Sequence, residues 1–188
     1  MIKNTEFFEL FSNAIFSGDI DAVKTTIEAG GDINEVNDND IKPYTLLSLA
    51  EEYAPGIVEE MIQLGADVSK TLQYLKFFYG EHEALHVAIN MRWELSARLL
   101  AEAITKEDVD RTDEGMRNTP LVCATRIAVK KPELALTLIK ILIEKGADPS
   151  IKNGNDYSAI DIANDHTKFE RWSPEIGKEV LDLFGASS

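Results

Sequence analysis

Few residues of this chain have types and spacing suited to chemistry, and the best candidates lie in segment 82–86, which reads HEALH. This segment satisfies H-E-x-x-H, in which two histidines one helical turn apart bind zinc and the glutamate acts as a general base. A helix that begins near Glu83 leaves His82 in the preceding loop, so the two imidazoles do not share a helix face. His166, the remaining histidine, is too distant to be a natural third ligand. A zinc hydrolase is therefore a remote alternative, and we expect no metal and no cofactor.

The other catalytic motifs are weaker still. The single cysteine, Cys123, has apolar neighbours, which predict a small buried hydrophobe rather than a reactive thiol. The sequence contains no G-x-S-x-G turn and no glycine-rich phosphate loop. Carboxylates are abundant, but among 33 acidic residues a solvated face is the expected arrangement rather than a catalytic dyad. We therefore expect a protein without enzymatic activity.

The clearest pattern of structural elements lies in residues 119–148. Thr119 suits a helix cap, and Pro120 suits the first helical position. A second helix is predicted from Pro132, because apolar residues then recur at three- and four-residue spacing. Gly146 ends that helix by supplying a left-handed residue after its last turn.

Fainter copies of this helix pair recur on both sides of it. An alanine that packs the helices, preceded three positions earlier by an apolar residue, recurs at Ala14, Ala50, Ala88, Ala124 and Ala163. The closing turn recurs as Gly30-Gly31-Asp32 and Gly65-Ala66-Asp67 and is absent from the third copy. A helix pair that opens with Thr-Pro-Leu-x-x-Ala and closes with Gly-Ala-Asp resembles the ankyrin repeat, whose period is roughly 33 residues.

The resemblance implies an all-α fold, an ankyrin-like helical repeat solenoid of about five degenerate repeats. These repeats form a single domain, residues 1–188, and fall roughly at 5–36, 37–69, 70–110, 111–150 and 151–185. The polar segment 32–42 then forms a finger-like turn between the first two repeats. The inward side of the first helix is expected to carry Phe7, Leu10, Phe11 and Ala14. The packing residues of the third repeat are expected at Leu85, Ala88, Leu95, Leu99 and Ile104.

Two segments depart from the repeat pattern. Residues 70–80, KTLQYLKFFYG, replace a short polar finger with an apolar, aromatic segment. This composition predicts a short extra helix or a thick loop, whose aromatic residues belong either to the core or to a binding surface. The fourth repeat is extended between its two helices, where Arg126, Lys130 and Lys131 form the most basic local patch of the chain.

The charge balance restricts the choice of partner. Nineteen basic against 33 acidic residues give a net charge of −14 and a pI near 4.6. A nucleic-acid partner is not expected, because phosphate binding requires a positive surface. Such acidity either attracts a basic partner or keeps the protein in solution. No uninterrupted apolar segment suits a secretory signal or a membrane span, so we expect a cytoplasmic protein without membrane contact.

The ankyrin resemblance implies a non-enzymatic protein–protein interaction module that binds through its concave face. That face is formed by residues just before each opening motif and just after each packing alanine. On this chain those positions are Tyr44, Glu52, Tyr53, Asn90, Met91, Trp93, Arg126 and Tyr157, with Asp165 toward the end. The acidic fingers that flank them contribute Asp38, Asp40, Asp113 and Glu114. Several of these residue types are enriched at interface hot spots, although Trp93 and Tyr53 are equally suited to packing between repeats.

Degenerate repeats with no second domain look like bacterial stand-alone ankyrin proteins. Within that group, the acidic composition favours an antagonist that binds and neutralises a basic protein, as ankyrin-type immunity proteins do for toxins. The alternative is a secreted effector or adaptor that binds a host protein. We expect a monomer when the partner is absent, and the fold alone does not identify that partner.

Overall fold

The computed structural model describes residues 4–37, 44–80, 83–168 and 171–185. These residues form eleven α-helices, one short 3-10 helix and one pair of two-residue strands. The all-α class predicted from the sequence is therefore confirmed. The chain divides into two compact units, Met1–Gly80 and Glu81–Ser188. Within the described ranges, no helix has both the length and the apolar character needed to cross a membrane.

The described part of the first unit begins with a helix pair and continues through a short strand pair into three more helices. The elements are α1 (Asn4–Ser17), α2 (Ile20–Glu28), β1 (Val36–Asn37), β2 (Tyr44–Thr45), α3 (Leu46–Tyr53), the 3-10 helix Pro55–Ile57, α4 (Val58–Gln63) and α5 (Val68–Tyr79). Helix α1 packs against α2 and α3, and α3 packs against α4 and α5.

The apolar stripe of α1 supplies much of the core of this unit. Phe7, Phe11 and Ile15 are buried and lie four residues apart, so they share one helix face. Leu10, which the sequence placed on the inward side, is nearly half exposed because it lies beside that stripe rather than on it. Helix α2 begins at the cap Asp19, whose carboxylate accepts the N–H of Ala22 at 3.0 Å.

The strands β1 and β2 flank the segment that the sequence predicts as a finger-like turn. They pair antiparallel, with Val36 opposite Thr45 and Asn37 opposite Tyr44. Residues 38–43, the centre of that segment, lie outside the described residues. Thr45 also caps α3, because its hydroxyl accepts the N–H of Ser48 at 3.1 Å.

The apolar segment predicted as an extra helix or a thick loop is the helix α5. Asp67 caps it by accepting the N–H of Lys70 at 3.0 Å. Leu75 and Thr71 are buried, and the hydroxyl oxygens of Thr71 and Thr45 lie 3.1 Å apart. Phe77, by contrast, is 82 % exposed. The segment therefore contributes one face to the core and another to the surface.

The second unit contains, among its described residues, three consecutive helix pairs. They are α6 (Glu83–Met91) with α7 (Glu94–Ala103), α8 (Pro120–Ile127) with α9 (Pro132–Glu144), and α10 (Ala159–Lys168) with α11 (Pro174–Leu183). The first helices pack in the order α6, α8, α10, and the second helices pack in the order α7, α9, α11. Each pair therefore buries its apolar side against the next pair.

The central pair has the boundaries that its residues predict. The hydroxyl of Thr119 accepts the N–H of Val122 at 3.2 Å, and Pro120 is the first residue of α8. Helix α9 begins at Pro132, as expected. Gly146 has φ +95° and follows the end of α9, where the N–H of Ala147 donates to the Leu142 carbonyl at 3.0 Å.

Helix α7 buries a different face from the one predicted. Leu95 and Leu99, expected as packing residues, are only half-buried. The buried positions are Ser96, Ala97, Leu100 and Ala101, of which the last three lie at the three- and four-residue spacing of one helix face. The small alanines let the neighbouring helices approach closely, and Leu95 and Leu99 lie at the edges of the contact.

The five helix-packing alanines are all buried, as predicted. We expect Ala88→Leu or Ala124→Leu to lower the free energy of unfolding by about 1 to 3 kcal/mol, because a larger side chain overpacks the junction between helices. Urea denaturation measures the change. Ala103→Leu is the matched control, since Ala103 is exposed at the end of α7. Equal stabilities for the buried and control variants would show that the packing register is wrong.

Candidate functional site

In the HEALH segment, the structure describes one of the two histidines, His86, and this histidine has a structural role. His86 is buried on α6, and its Nε2–H donates to the Asn118 carbonyl at 3.0 Å. Asn118 directly precedes Thr119, the cap of α8, so the bond ties one helix pair to the next. His82 lies outside the described residues.

Asn118 is the centre of a hydrogen-bond network that sequence reasoning did not single out. The Asp113 carboxylate accepts the Asn118 backbone N–H at 3.2 Å and its side-chain Nδ2–H at 2.9 Å. The Asn118 Oδ1 accepts from Nδ2 of Asn153 at 2.9 Å. Asn118 therefore connects α6, its own loop and the turn before α10. Its only sequence signal is a polar side chain immediately before a helix cap.

Main-chain groups of the loop between α7 and α8 form hydrogen bonds with α6 on one side and with the turn before α10 on the other. The Glu114 N–H donates to the Glu83 carboxylate at 3.1 Å, and the Gly154 N–H donates to the Met116 carbonyl at 2.7 Å. Asp113, predicted as a partner-binding residue, is half-buried, and its carboxylate is occupied by Asn118. Asp113 therefore orders this loop, and its contact with a partner stays a prediction. The Glu114 side chain is exposed, as a surface role requires.

Trp93 is not a surface anchor. It directly precedes α7 and is only 3 % exposed, so the prediction that it contacts a partner is corrected. Arg92 adopts φ 61°, and the Trp93 N–H then donates to the Ala88 carbonyl at 3.0 Å. This turn directs the indole into the core, where its Nε1 has no hydrogen-bond partner among the described residues.

The remaining predicted contact residues are divided between the two units. Glu52, Tyr53, Asn90, Arg126 and Tyr157 are exposed, whereas Met91 and Asp165 are half-buried. Only the backbone of Tyr44 is described, within β2, and Asp38 and Asp40 lie outside the described residues. Of the whole set, Tyr44, Glu52 and Tyr53 share the first unit and the other described residues share the second.

Phe16 is a surface residue that sequence reasoning missed. It is 53 % exposed at the end of α1, and its ring centroid lies 4.9 Å from that of Tyr53, which is 55 % exposed. The two rings meet edge to face at an interplanar angle of 83°. An aromatic residue that falls outside the Phe7-Phe11-Ile15 stripe is the signal that could have identified it.

Cys123 is the buried hydrophobe that its neighbours predict. Burial and, to a smaller extent, the Asp113 carboxylate raise the pKa of its thiol, which reaches about 12 although Arg126 acts in the opposite direction. A thiol with this pKa is protonated at neutral pH, so it is not a nucleophile there. Throughout the described part of the chain, no three His, Cys, Asp or Glu side chains are arranged to hold a metal ion.

Comparison with known proteins gives no family assignment. No protein-family model matches the sequence, and no curated protein matches it.

We expect His86→Ala to lower the free energy of unfolding by about 1 to 2 kcal/mol, because the buried Asn118 carbonyl loses one of its two donors and keeps the Asp113 N–H at 2.9 Å. Arg117→Ala, at an exposed position of the same loop, is the control and should change little. Urea denaturation tests the stability, and elemental analysis of the purified protein tests the expectation of no zinc. One zinc per chain that disappears in a folded His86→Ala variant would instead support the zinc alternative.

His166 should make the stability depend on pH. It is buried on α10, its ring lies 5.0 Å from that of Trp172, and neither ring nitrogen has a hydrogen-bond partner among the described residues. Burial lowers its pKa, Arg171 lowers it further, and Asp165 acts in the opposite direction. The unfolded histidine, with a pKa of about 6.5, therefore binds a proton more readily than the folded one.

Because the folded pKa is depressed, the stability is highest above the unfolded pKa and is lost as the pH falls toward and through the folded pKa. Urea midpoints measured between about pH 7.5 and 5.5 should fall for the unmodified chain and fall less for His166→Leu. His86→Leu controls for the other described histidine. Identical pH profiles for the unmodified chain and His166→Leu would contradict this prediction.

Proposed function

We propose that this chain is an ankyrin-like repeat solenoid that acts without catalysis, as an acidic antagonist of a basic protein. One support is a hydrogen bond that recurs at the two Gly-Ala-Asp turns, each of which is bonded by a side chain from the preceding repeat of the proposed solenoid. The Asn34 Oδ1 accepts the N–H of Asp67 at 2.7 Å, and the Asp110 carboxylate accepts the N–H of Asp148 at 3.0 Å. Asp67 and Asp148 occupy the same place in two Gly-Ala-Asp turns, and the bonds span 33 and 38 residues. These spans are near the ankyrin period of roughly 33 residues.

The closing turns themselves support the same proposal. Gly30, Gly65 and Gly146 adopt φ +101°, +101° and +95°. In each turn, the N–H of the residue after the glycine donates to the carbonyl five residues earlier, at 3.0 Å. Three separate segments thus end their second helix with one backbone conformation, which is the behaviour expected of copies of a single structural unit.

The observation that carries the functional proposal is the distribution of charge and of exposed aromatic rings. Residues 1–80 contain 14 acidic and 5 basic residues, a net charge of −9, whereas residues 81–188 contain 19 and 14, a net charge of −5. The first unit also exposes the adjacent rings of Phe16 and Tyr53. Surface charge accelerates the encounter with an oppositely charged partner, and desolvated aromatic rings hold the complex.

The side chains best suited to catalysis have structural roles, which supports a function without catalysis. His86 donates to a backbone carbonyl, Asp113 orders the loop before α8, and Cys123 is buried as a neutral thiol. In this proposal the free protein is a cytoplasmic monomer that forms a complex with its target, as immunity proteins do.

The test is capture of the partner from the native cell, followed by association kinetics over a range of salt concentrations. We expect a partner of net positive charge. Replacing Glu28, Glu59 and Glu60, three exposed acids of the first unit, by glutamine should slow association by about threefold or more at low salt and flatten the salt dependence.

The matched control replaces three exposed acids of the second unit, Glu94, Glu102 and Glu144, by glutamine. This control should have a smaller effect, because it removes the same charge from the less acidic unit. Capture of an acidic partner, or equal slowing by the two triple variants, would contradict the proposal.

A further inference from the structure

The exposed rings of Phe16 and Tyr53 lie where two packed helices end. Phe16 is in the last turn of α1, Tyr53 is the last residue of α3, and these helices contact each other directly. The rings meet edge to face, with centroids 4.9 Å apart and an interplanar angle of 83°. In this geometry one ring edge covers part of the other ring's face, and both rings keep more than half of their surface open to solvent.

Two exposed acidic residues lie on the helices that carry this aromatic pair. Glu9 and Asn13 precede Phe16 by seven and three residues, so all three lie along one exposed face of α1. Glu52 is exposed and precedes Tyr53 in the sequence. Burial is the main cause of the raised pKa of Tyr79, and the charge of Glu52 raises that pKa further. Within the described residues, neither Glu9 nor Glu52 has a cationic partner.

This combination of groups suits a cation. The face of an aromatic ring carries negative potential and attracts a cation within about 6 Å. Arginine fits better than lysine, because its planar guanidinium stacks on a ring, whereas the ammonium of lysine is a compact and strongly hydrated charge. Glu9 lies two helical turns from Phe16, about 10 Å along the axis, so it would bind a second cation of the same segment.

We infer that Phe16, Tyr53, Glu52 and Glu9 form a binding site for an arginine-containing basic segment of a protein partner. The aromatic pair takes an arginine side chain, and Glu52 and Glu9 take neighbouring basic residues of the same segment. The inference rests on the proposed function, which it narrows from a basic protein to one that presents arginine. The net charge of −9 in this unit brings such a segment to the site.

The test compares hexa-arginine and hexa-lysine peptides, with hexa-citrulline as an uncharged isostere of hexa-arginine. Fluorescence anisotropy of labelled peptides at physiological salt gives each dissociation constant. We expect hexa-arginine to bind more tightly than hexa-lysine and hexa-citrulline not to bind. Phe16→Ala and Tyr53→Ala should each weaken hexa-arginine binding about five- to tenfold and reduce its advantage over hexa-lysine.

Matched variants separate this site from general attraction to an acidic protein. Val129→Ala trims an apolar side chain that is 45 % exposed in the second unit and should leave the arginine preference unchanged. Tyr53→Phe keeps the aromatic face and should retain binding, which guards against loss of folding in Tyr53→Ala. Glu52→Gln should weaken hexa-arginine binding more than Glu60→Gln, an exposed acid on α4.

Two results would overturn the inference. One is equal weakening of hexa-arginine and hexa-lysine binding by Tyr53→Ala, since it shows that the rings give no arginine preference. The other is a captured basic partner whose affinity is the same for the unmodified chain, Phe16→Ala and Tyr53→Ala; the proposed function then stands while this site does not. Conversely, an arginine preference that depends on both rings, together with an acidic captured partner, supports the site and contradicts the proposed function.

Discussion

In the second unit, the hydrogen-bond set of Asn118 sets the relation between successive helix pairs. Apolar faces alone allow neighbouring helices to slide, because hydrophobic burial has no direction. Asn118 removes that freedom, since its carbonyl, N–H, Nδ2 and Oδ1 are bonded to His86, Asp113 and Asn153. A buried polar group that loses its partner costs more than the bond itself contributes, so a shifted register is strongly disfavoured.

The same requirement gives His86 and Asp113 structural roles. A histidine and a carboxylate are the side chains best suited to bind a backbone carbonyl and a backbone N–H in a buried loop. His86 and Asp113 are used in this way, and Asp110 is used similarly on the Asp148 N–H. A motif with catalytic spacing therefore has an alternative physical explanation whenever it falls at the start of a packed helix.

Local chemistry made much of the helical framework predictable. The cap Thr119, the starts of α8 and α9 and the left-handed Gly146 follow from residue types within a few positions of each boundary. The burial of the helix-packing alanines follows from their fixed place in each copy. The family itself remains a proposal, since the resemblance is carried by these short motifs.

The surface was harder to predict, because exposure depends on which neighbour covers a side chain. Trp93 has the residue type of a binding anchor, but the left-handed turn at Arg92 directs it inward, and no glycine marks that turn. Phe16 shows the opposite outcome, since it is 53 % exposed although its ring contacts Tyr53 of α3 edge to face. An alignment based on repeat position could not distinguish these two aromatic residues.

Charge then separates the exposed residues into surfaces suited to different partners. The repeat alignment predicts Arg126 as a contact residue together with acidic ones. In the structure it lies with Lys130 and Lys131 around the exposed turn between α8 and α9. A basic segment is repelled by that turn and attracted by Glu9 and Glu52, so one ligand cannot favour both surfaces. In the proposed binding mode, the aromatic pair, Glu9 and Glu52 therefore form the contact. The basic turn between α8 and α9 repels the partner from the surface around that turn.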